Sequence, residues 1–204
     1  VVDELPAFVD PEKDVVTVNG KRVQLGEKVY YLLNKPKGII CTNSDPQGRK
    51  KAIDLIDSPE RIFCVGRLDV ETSGAIILTN DSILSNRLTH PRYELPKTYE
   101  VKLKGSIDGE AIEKLKKGVW LSEGKTSKAA LKVINRTRTE SILQITIRQG
   151  LNRQIRRIFV RVGYKVKALK RTQIGNINIK GMRIGEYKKL TKSQVEYLKK
   201  ITEK

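Results

Sequence analysis

Two segments of this chain alternate apolar and polar residues with a period of two: KTYEVKLKG at 97–105 and ILQITIRQG at 142–150. Successive side chains of a strand point to opposite faces, so Tyr99, Val101 and Leu103 share one face, and Leu143, Ile145 and Ile147 share another. Each segment is therefore a half-buried strand, the kind found in antiparallel sheets covered on one side. A tight hairpin is expected in VVTVNGKRVQL, where Asn19-Gly20 supplies the positive φ that a two-residue turn demands. VYYLLNKPKGII reads as a strand broken at Lys35-Pro36 and Gly38, and TNSDPQGRK as a loop. Helices interrupt the strands only sparsely. SIDGEAIEKLKKG predicts one with Asp108 as N-cap, Ala111, Ile112 and Leu115 inward and Gly118 at the stop. LTKSQVEYLKKI predicts a last one, with a capping box from Thr191 to Gln194 and a staple from Leu190 to Val195. The fold class is α+β, built on antiparallel sheet.

The partner class follows from charge. Among 204 residues, 41 Lys and Arg face 23 Asp and Glu, a formal charge of +18. The basic residues lie within patterned segments rather than in a tail, so the positive field belongs to the folded surface and points to a nucleic acid. No apolar run is long enough to span a bilayer, and no long helix pairs a basic face with an aromatic one, so neither a membrane span nor a membrane-surface role is expected.

Absences narrow the chemistry. The chain has no GxxxxGKS/T, GxGxxG or GxSxG string. Cys41 and Cys64 are its only cysteines and do not form C-x-x-C, which suggests neither a zinc site nor a disulfide framework and fits a reducing cytosol. His90 is the only histidine, precedes Pro91, and reads as a loop residue. An enzyme with this inventory is expected to work through a carboxylate, without a metal.

The segment NRQIRRIFVRVG predicts a helix with Asn152 as N-cap and Gly163 at its end; Ile155, Ile158, Phe159 and Val162 form one buried stripe. Arg153, Arg157 and Arg161 suit phosphate contacts on the solvent side. Arg156 falls at the stripe's border, where its stem is covered and its head can meet an inward carboxylate. Asp69, ahead of ETSG, has a plain role available as a turn cap. Lys35, Lys37, Arg49, Lys50, Arg87 and Arg92 lie in or near expected loops and would add phosphate affinity without reading sequence. Tyr30, Tyr31 and Trp120 are expected to pack in the core or its rim.

The strings GRLDVETSG, LTND, THPRYELPKTYEV and GLNRQIRRIF, in that order, resemble the RsuA/RluB family of ribosomal-RNA pseudouridine synthases. LLNKPKG resembles that family's first motif and ALKRTQIGNI its last, so the likeness runs over about residues 29 to 190. It implies a bent antiparallel sheet flanked by helices, with the cleft across its middle and a small ferredoxin-like half. It also implies that Asp69 is the catalytic aspartate, that Tyr99 packs against the target base, and that Arg156 pairs with Asp69, an opposite charge favouring a carboxylate's ionised form. Leu169 would close the pocket below, and Arg67 would help hold the uridine out of its stack.

The implied reaction detaches uracil at its N1–C1′ bond, turns it and rejoins it through C5, with no cofactor. Asp69 is either the nucleophile at C1′ or the base removing the 2′ proton, and both stay open. The implied partner is ribosomal RNA, 23S in preference to 16S, met by a cytoplasmic monomer. The rival from another class is a non-catalytic RNA-binding or ribosome assembly protein. Residues 1–28 resemble the tail of the family's N-terminal alpha-L RNA-binding module and its connector, an extended arm over 1–14 preceding the hairpin. Residues 29–204 would be the catalytic domain of a longer parent.

Overall fold

The computed structural model of the chain describes residues 9–10, 13–23 and 26–203. The arm expected over residues 1–14 lies largely outside them. The expected hairpin forms from Thr17–Val18 (β1) and Lys21–Arg22 (β2), with Asn19 and Gly20 at φ of 51° and 74°. Its four strand residues are exposed, so it adds little to the core.

The main sheet takes in Tyr30–Lys35 (β3), Phe63–Cys64 (β4), Thr72–Thr79 (β5) and Lys97–Lys104 (β6). Trp120–Leu121 (β7) and Gly124–Lys125 (β8) make a separate small hairpin. Ala130–Arg136 (β9), Glu140–Ile147 (β10), Val166–Ile174 (β11), Ile177–Asn178 (β12) and Tyr187–Lys189 (β13) complete the strands. The four helices among the described residues are Ser82–Thr89 (α1), Gly109–Lys117 (α2), Gln154–Arg161 (α3) and Lys192–Lys200 (α4).

The strand order is β13-β3-β5-β11-β6-β10-β9, with β4 on β5 and β12 on β11. Every neighbour is antiparallel except the pair β5 and β11. Within this sheet the stretch β6-α2-β9-β10-α3-β11 folds as a unit of its own. Its spatial order, β11-β6-β10-β9, is that of a split β-α-β-β-α-β motif, the expected ferredoxin-like half.

The sheet has a core on each face. Tyr31, Leu33, Ile76 and Leu78 point to the side that also takes Val101, Leu103, Leu143, Ile145 and the buried residues of α2 and α3. Leu32, Ala75 and Ile77 point to the other side, under Leu84 and Leu88 of α1 and Val195 and Leu198 of α4. β5 is covered on both faces, which is why its apolar run does not alternate.

The helix ends follow their side chains. Asp108 accepts from the Ala111 N–H at 2.7 Å, and Thr191 and Gln194 close the capping box. α3 departs from expectation at its start. Its N-cap is Arg153 at φ 46°, one residue after Asn152, and the Gln154 side chain folds back to accept from the Leu151 N–H. The buried stripe of Ile155, Ile158 and Phe159 lies where the spacing put it, with Val162 half-buried at its end.

Candidate active site

Asp69 sits in the loop between β4 and β5, and that loop is pinned from three sides. Its carbonyl accepts from the Thr72 N–H at 3.0 Å, closing a turn at the head of β5. The Gly38 N–H reaches the Val70 carbonyl at 2.9 Å. Arg156 Nη2 reaches the Glu71 carbonyl at 3.3 Å, while its Nη1 reaches toward the Val166 carbonyl. Backbone and the Arg156 guanidinium thus hold the turn, and the Asp69 carboxylate is free of capping duty.

Two guanidiniums face that carboxylate. Arg153 Nη1 is 3.4 Å from Asp69 Oδ2, and Arg156 Nε lies 4.0 Å from the same oxygen. The expected Arg156–Asp69 pair is thus present at the outer limit of an ion pair, and Arg153, expected as a phosphate contact, is the nearer cation. The two differ in setting. The Arg153 side chain is half exposed, whereas Arg156 is largely covered, and its Nε is buried without a hydrogen-bond partner.

Asp69 opens on a cleft of about 400 Å³ lined by Arg67, Leu68, Thr72, Tyr99, Leu151, Arg153, Leu169, Lys97 and Arg171 among others. Five of the expected site residues, Asp69, Tyr99, Leu169, Arg67 and Arg153, therefore meet in one cavity. The cleft has a backbone origin. β5 and β11 pair in parallel only from Thr72 to Gly74 and from Leu169 to Arg171, and then part. Past the fork β5 turns to β4, and the cavity opens between the diverging strands, reaching Tyr99 and Ile155 of one core and Ile77 and Leu88 of the other. Gly74, at φ +109°, is packed so closely against the Arg171 backbone that a Cβ would collide with it. Only glycine fits both demands.

Three further expectations are corrected. Lys35 is fully buried rather than displayed to phosphate, and its Nζ donates to the Pro36 and Ile39 carbonyls at 2.8 and 2.7 Å. Burial pushes its pKa down, an effect opposed by the nearby Cys41, Cys64, Asp69 and Glu71. The ammonium shapes the turn that carries Gly38 to the Asp69 loop, so Lys35 positions rather than contacts. Lys37, two residues on, is exposed as expected. Arg157 spends its guanidinium on Glu123 and Ser122 of the β7–β8 hairpin, because that hairpin packs along α3. Trp120, at 66% exposure, is on the surface, since Leu121 takes the inward place of that two-residue strand. The two cysteines are free and half-buried, packed against the core near Lys35.

Sequence reading also missed Arg171 and Lys97, both of which line the cleft. A signal existed for each. Arg171 lies two residues after Leu169, and Lys97 two before Tyr99, so alternation alone places both on the face of the site residues.

A protein-family model for RNA pseudouridylate synthases matches residues 29–160. Ribosomal large subunit pseudouridine synthase B of Bacillus subtilis is 42% identical over 206 residues, spanning 100% of this chain and 84% of that protein. An uncharacterized RNA pseudouridine synthase of Aquifex aeolicus is 38% identical over 200 residues, 97% of this chain and 80% of its own. Among solved structures, a pseudouridylate synthase superposes with a TM-score of 0.79 at 30% identity, covering 94% of this chain and 83% of that one.

Proposed function

The chain belongs to the RNA pseudouridylate synthase family, isomerases acting on uridine in RNA, and from that premise we propose that it converts one uridine of 23S ribosomal RNA, rather than 16S, with Asp69 as the essential carboxylate. The observation that carries this reading is a carboxylate without a capping role, faced by two guanidiniums, in a cleft that also holds Tyr99 and Leu169. A cavity of about 400 Å³ is of the size that takes a small-molecule ligand, here a nucleoside flipped out of its stack.

The target uridine enters with its sugar toward Asp69 and its base beside the Tyr99 ring. Asp69 either attacks C1′ or removes the 2′ proton; in both routes the N1–C1′ electron pair leaves with the base. The uracil turns and C5 bonds to C1′ as the Asp69–C1′ bond breaks, or as Asp69 returns its proton to C2′, and the C5 proton is lost. Arg156 holds the catalytic loop by its carbonyl bonds and points Nε at Asp69, while Arg153 lies at the mouth. Arg67 and Lys37, both exposed, hold the flanking RNA.

The large-subunit preference rests on the name of the Bacillus subtilis relative and on the likeness along the whole chain. The protein acts as a cytoplasmic monomer. No helix among the described residues is long and apolar enough to cross a membrane. Residues 1–28 serve as a connector outside the catalytic domain of 29–204. Pseudouridine mapping of ribosomal RNA from cells with and without the gene for this protein tests the substrate. One 23S site should disappear with the gene, and loss of a 16S site, or of none, would refute the assignment.

A further inference from the structure

One rung of the sheet crosses four strands at the fork: Lys35 on β3, Gly74 on β5, Arg171 on β11 and Tyr99 on β6 are successive register partners. Partners across neighbouring strands share a face, so Arg171 stands beside Tyr99 on the side where the cleft opens. It is 3% exposed. Its Nε donates to the Ala75 carbonyl at 2.6 Å, a carbonyl that the fork has left without a β11 partner. Its Nη2 is buried with no hydrogen-bond partner at all, and the guanidinium has no carboxylate within ion-pair distance among the described residues. Lys97 lies on the same face of β6, two residues from Tyr99, and lines the same cleft. Among the described residues its Nζ donates only to the Leu95 carbonyl, at 3.2 Å. Burial, and then the charge of Arg171, push the Lys97 pKa down to about 8. Thr72 Oγ1, in the same cavity, is also buried without a partner.

A buried guanidinium beside a half-buried ammonium, with no carboxylate in ion-pair contact with either among the described residues, is costly, because desolvation and mutual repulsion act together. Folding alone gives no return for this arrangement; an anion brought by the substrate would. We propose that Arg171 and Lys97 form the floor on which the detached uracil rests, donating to its oxygens and stabilising the negative charge that builds on the base as its glycosidic bond breaks.

The inference rests on the isomerase reading of the cleft and adds the group that leaves. When N1–C1′ breaks, the bonding pair stays on N1 and spreads to O2 and O4, while C1′ bonds to the Asp69 carboxylate or its sugar loses the 2′ proton to Asp69. Either route delivers a uracil anion, so the floor serves both. The pair holds that anion close while the base turns; as C5 bonds to C1′ the electron pair is consumed, the C1′–Asp69 bond breaks or Asp69 returns its proton to C2′, and loss of the C5 proton restores the ring. Fixed cations aimed at charge that exists only during reaction accelerate the step more than they tighten binding. The same anion chemistry could come from the target nucleotide's phosphate; the position beside Tyr99, which faces the base, favours the uracil.

Single-turnover rates and RNA affinities of Arg171→Gln, Arg171→Lys and Lys97→Met, measured on an RNA containing the target uridine, test the proposal. Arg171→Gln should slow the chemical step by on the order of 10² to 10³-fold with affinity changed less than about threefold, and Arg171→Lys should recover part of the rate. Lys97→Met, which removes a half-buried charge and should melt no lower than the unaltered protein, should slow it by about tenfold. Unchanged rates in Arg171→Gln and Lys97→Met would overturn the proposal. So would a loss of affinity that matches the loss of rate and lessens with added salt, the mark of a phosphate contact. If the unaltered protein itself fails to isomerise, the isomerase reading fails; if it turns over and the floor variants match it, only the floor fails.

Discussion

Lys35 shows how a single residue can be read correctly in type and wrongly in use. A lysine before proline in a glycine-bearing turn looks like a phosphate contact, yet its ammonium is the internal strut of that turn. Nothing in the string NKPKG separates the two, because the difference depends on Lys35 being the last residue of a strand covered on both faces. The consequence is testable. Lys35→Met should lower kcat by on the order of 100-fold, since Gly38 would no longer be held to Val70 and Asp69 would shift. RNA affinity and its salt slope should stay as they were. A slope reduced by about one, with kcat intact, would return Lys35 to the role of a phosphate contact. Arg171 is the opposite case: basic on paper, it is inward by alternation from Leu169, and its partnerless Nη2 became visible only in three dimensions.

At the scale of elements, β6 and β10 were legible because each buries one face, and alternation records that directly. α3 was legible in its stripe but not in its start. Asn152 is a common N-cap, and the left-handed Arg153 that displaced it is set by the loop that brings Arg153 to Asp69. The fork between β5 and β11 was not legible at all, since a parallel contact of three residues between strands about a hundred positions apart leaves no local periodicity. Its one trace is Gly74, in the string TSG. Gly74→Ala would place a Cβ against the Arg171 backbone at a φ that side chains avoid, and should cost about 2 to 4 kcal/mol. Chemical denaturation of the pair of proteins measures it. A difference under about 0.5 kcal/mol would mean the two strands do not approach as described.

At the scale of the molecule, the split β-α-β-β-α-β half supplies Tyr99, Arg153, Arg156 and Leu169, and the remaining strands supply Asp69 through the loop before β5. Neither half holds the site alone. The charge of +18 draws a polyanion to the surface with a strength that salt weakens, but it acts on every phosphate alike and does no chemistry. On the proposed reading, what turns binding into isomerisation is one carboxylate in the cleft. The sharpest comparison is therefore tritium release from RNA carrying C5-tritiated uridine, run beside filter binding of the same RNA, for the unaltered protein and for Asp69→Asn. The protein should release tritium from its target uridine and the variant none, with both retaining RNA to a similar extent. Equal release by Asp69→Asn would contradict the account.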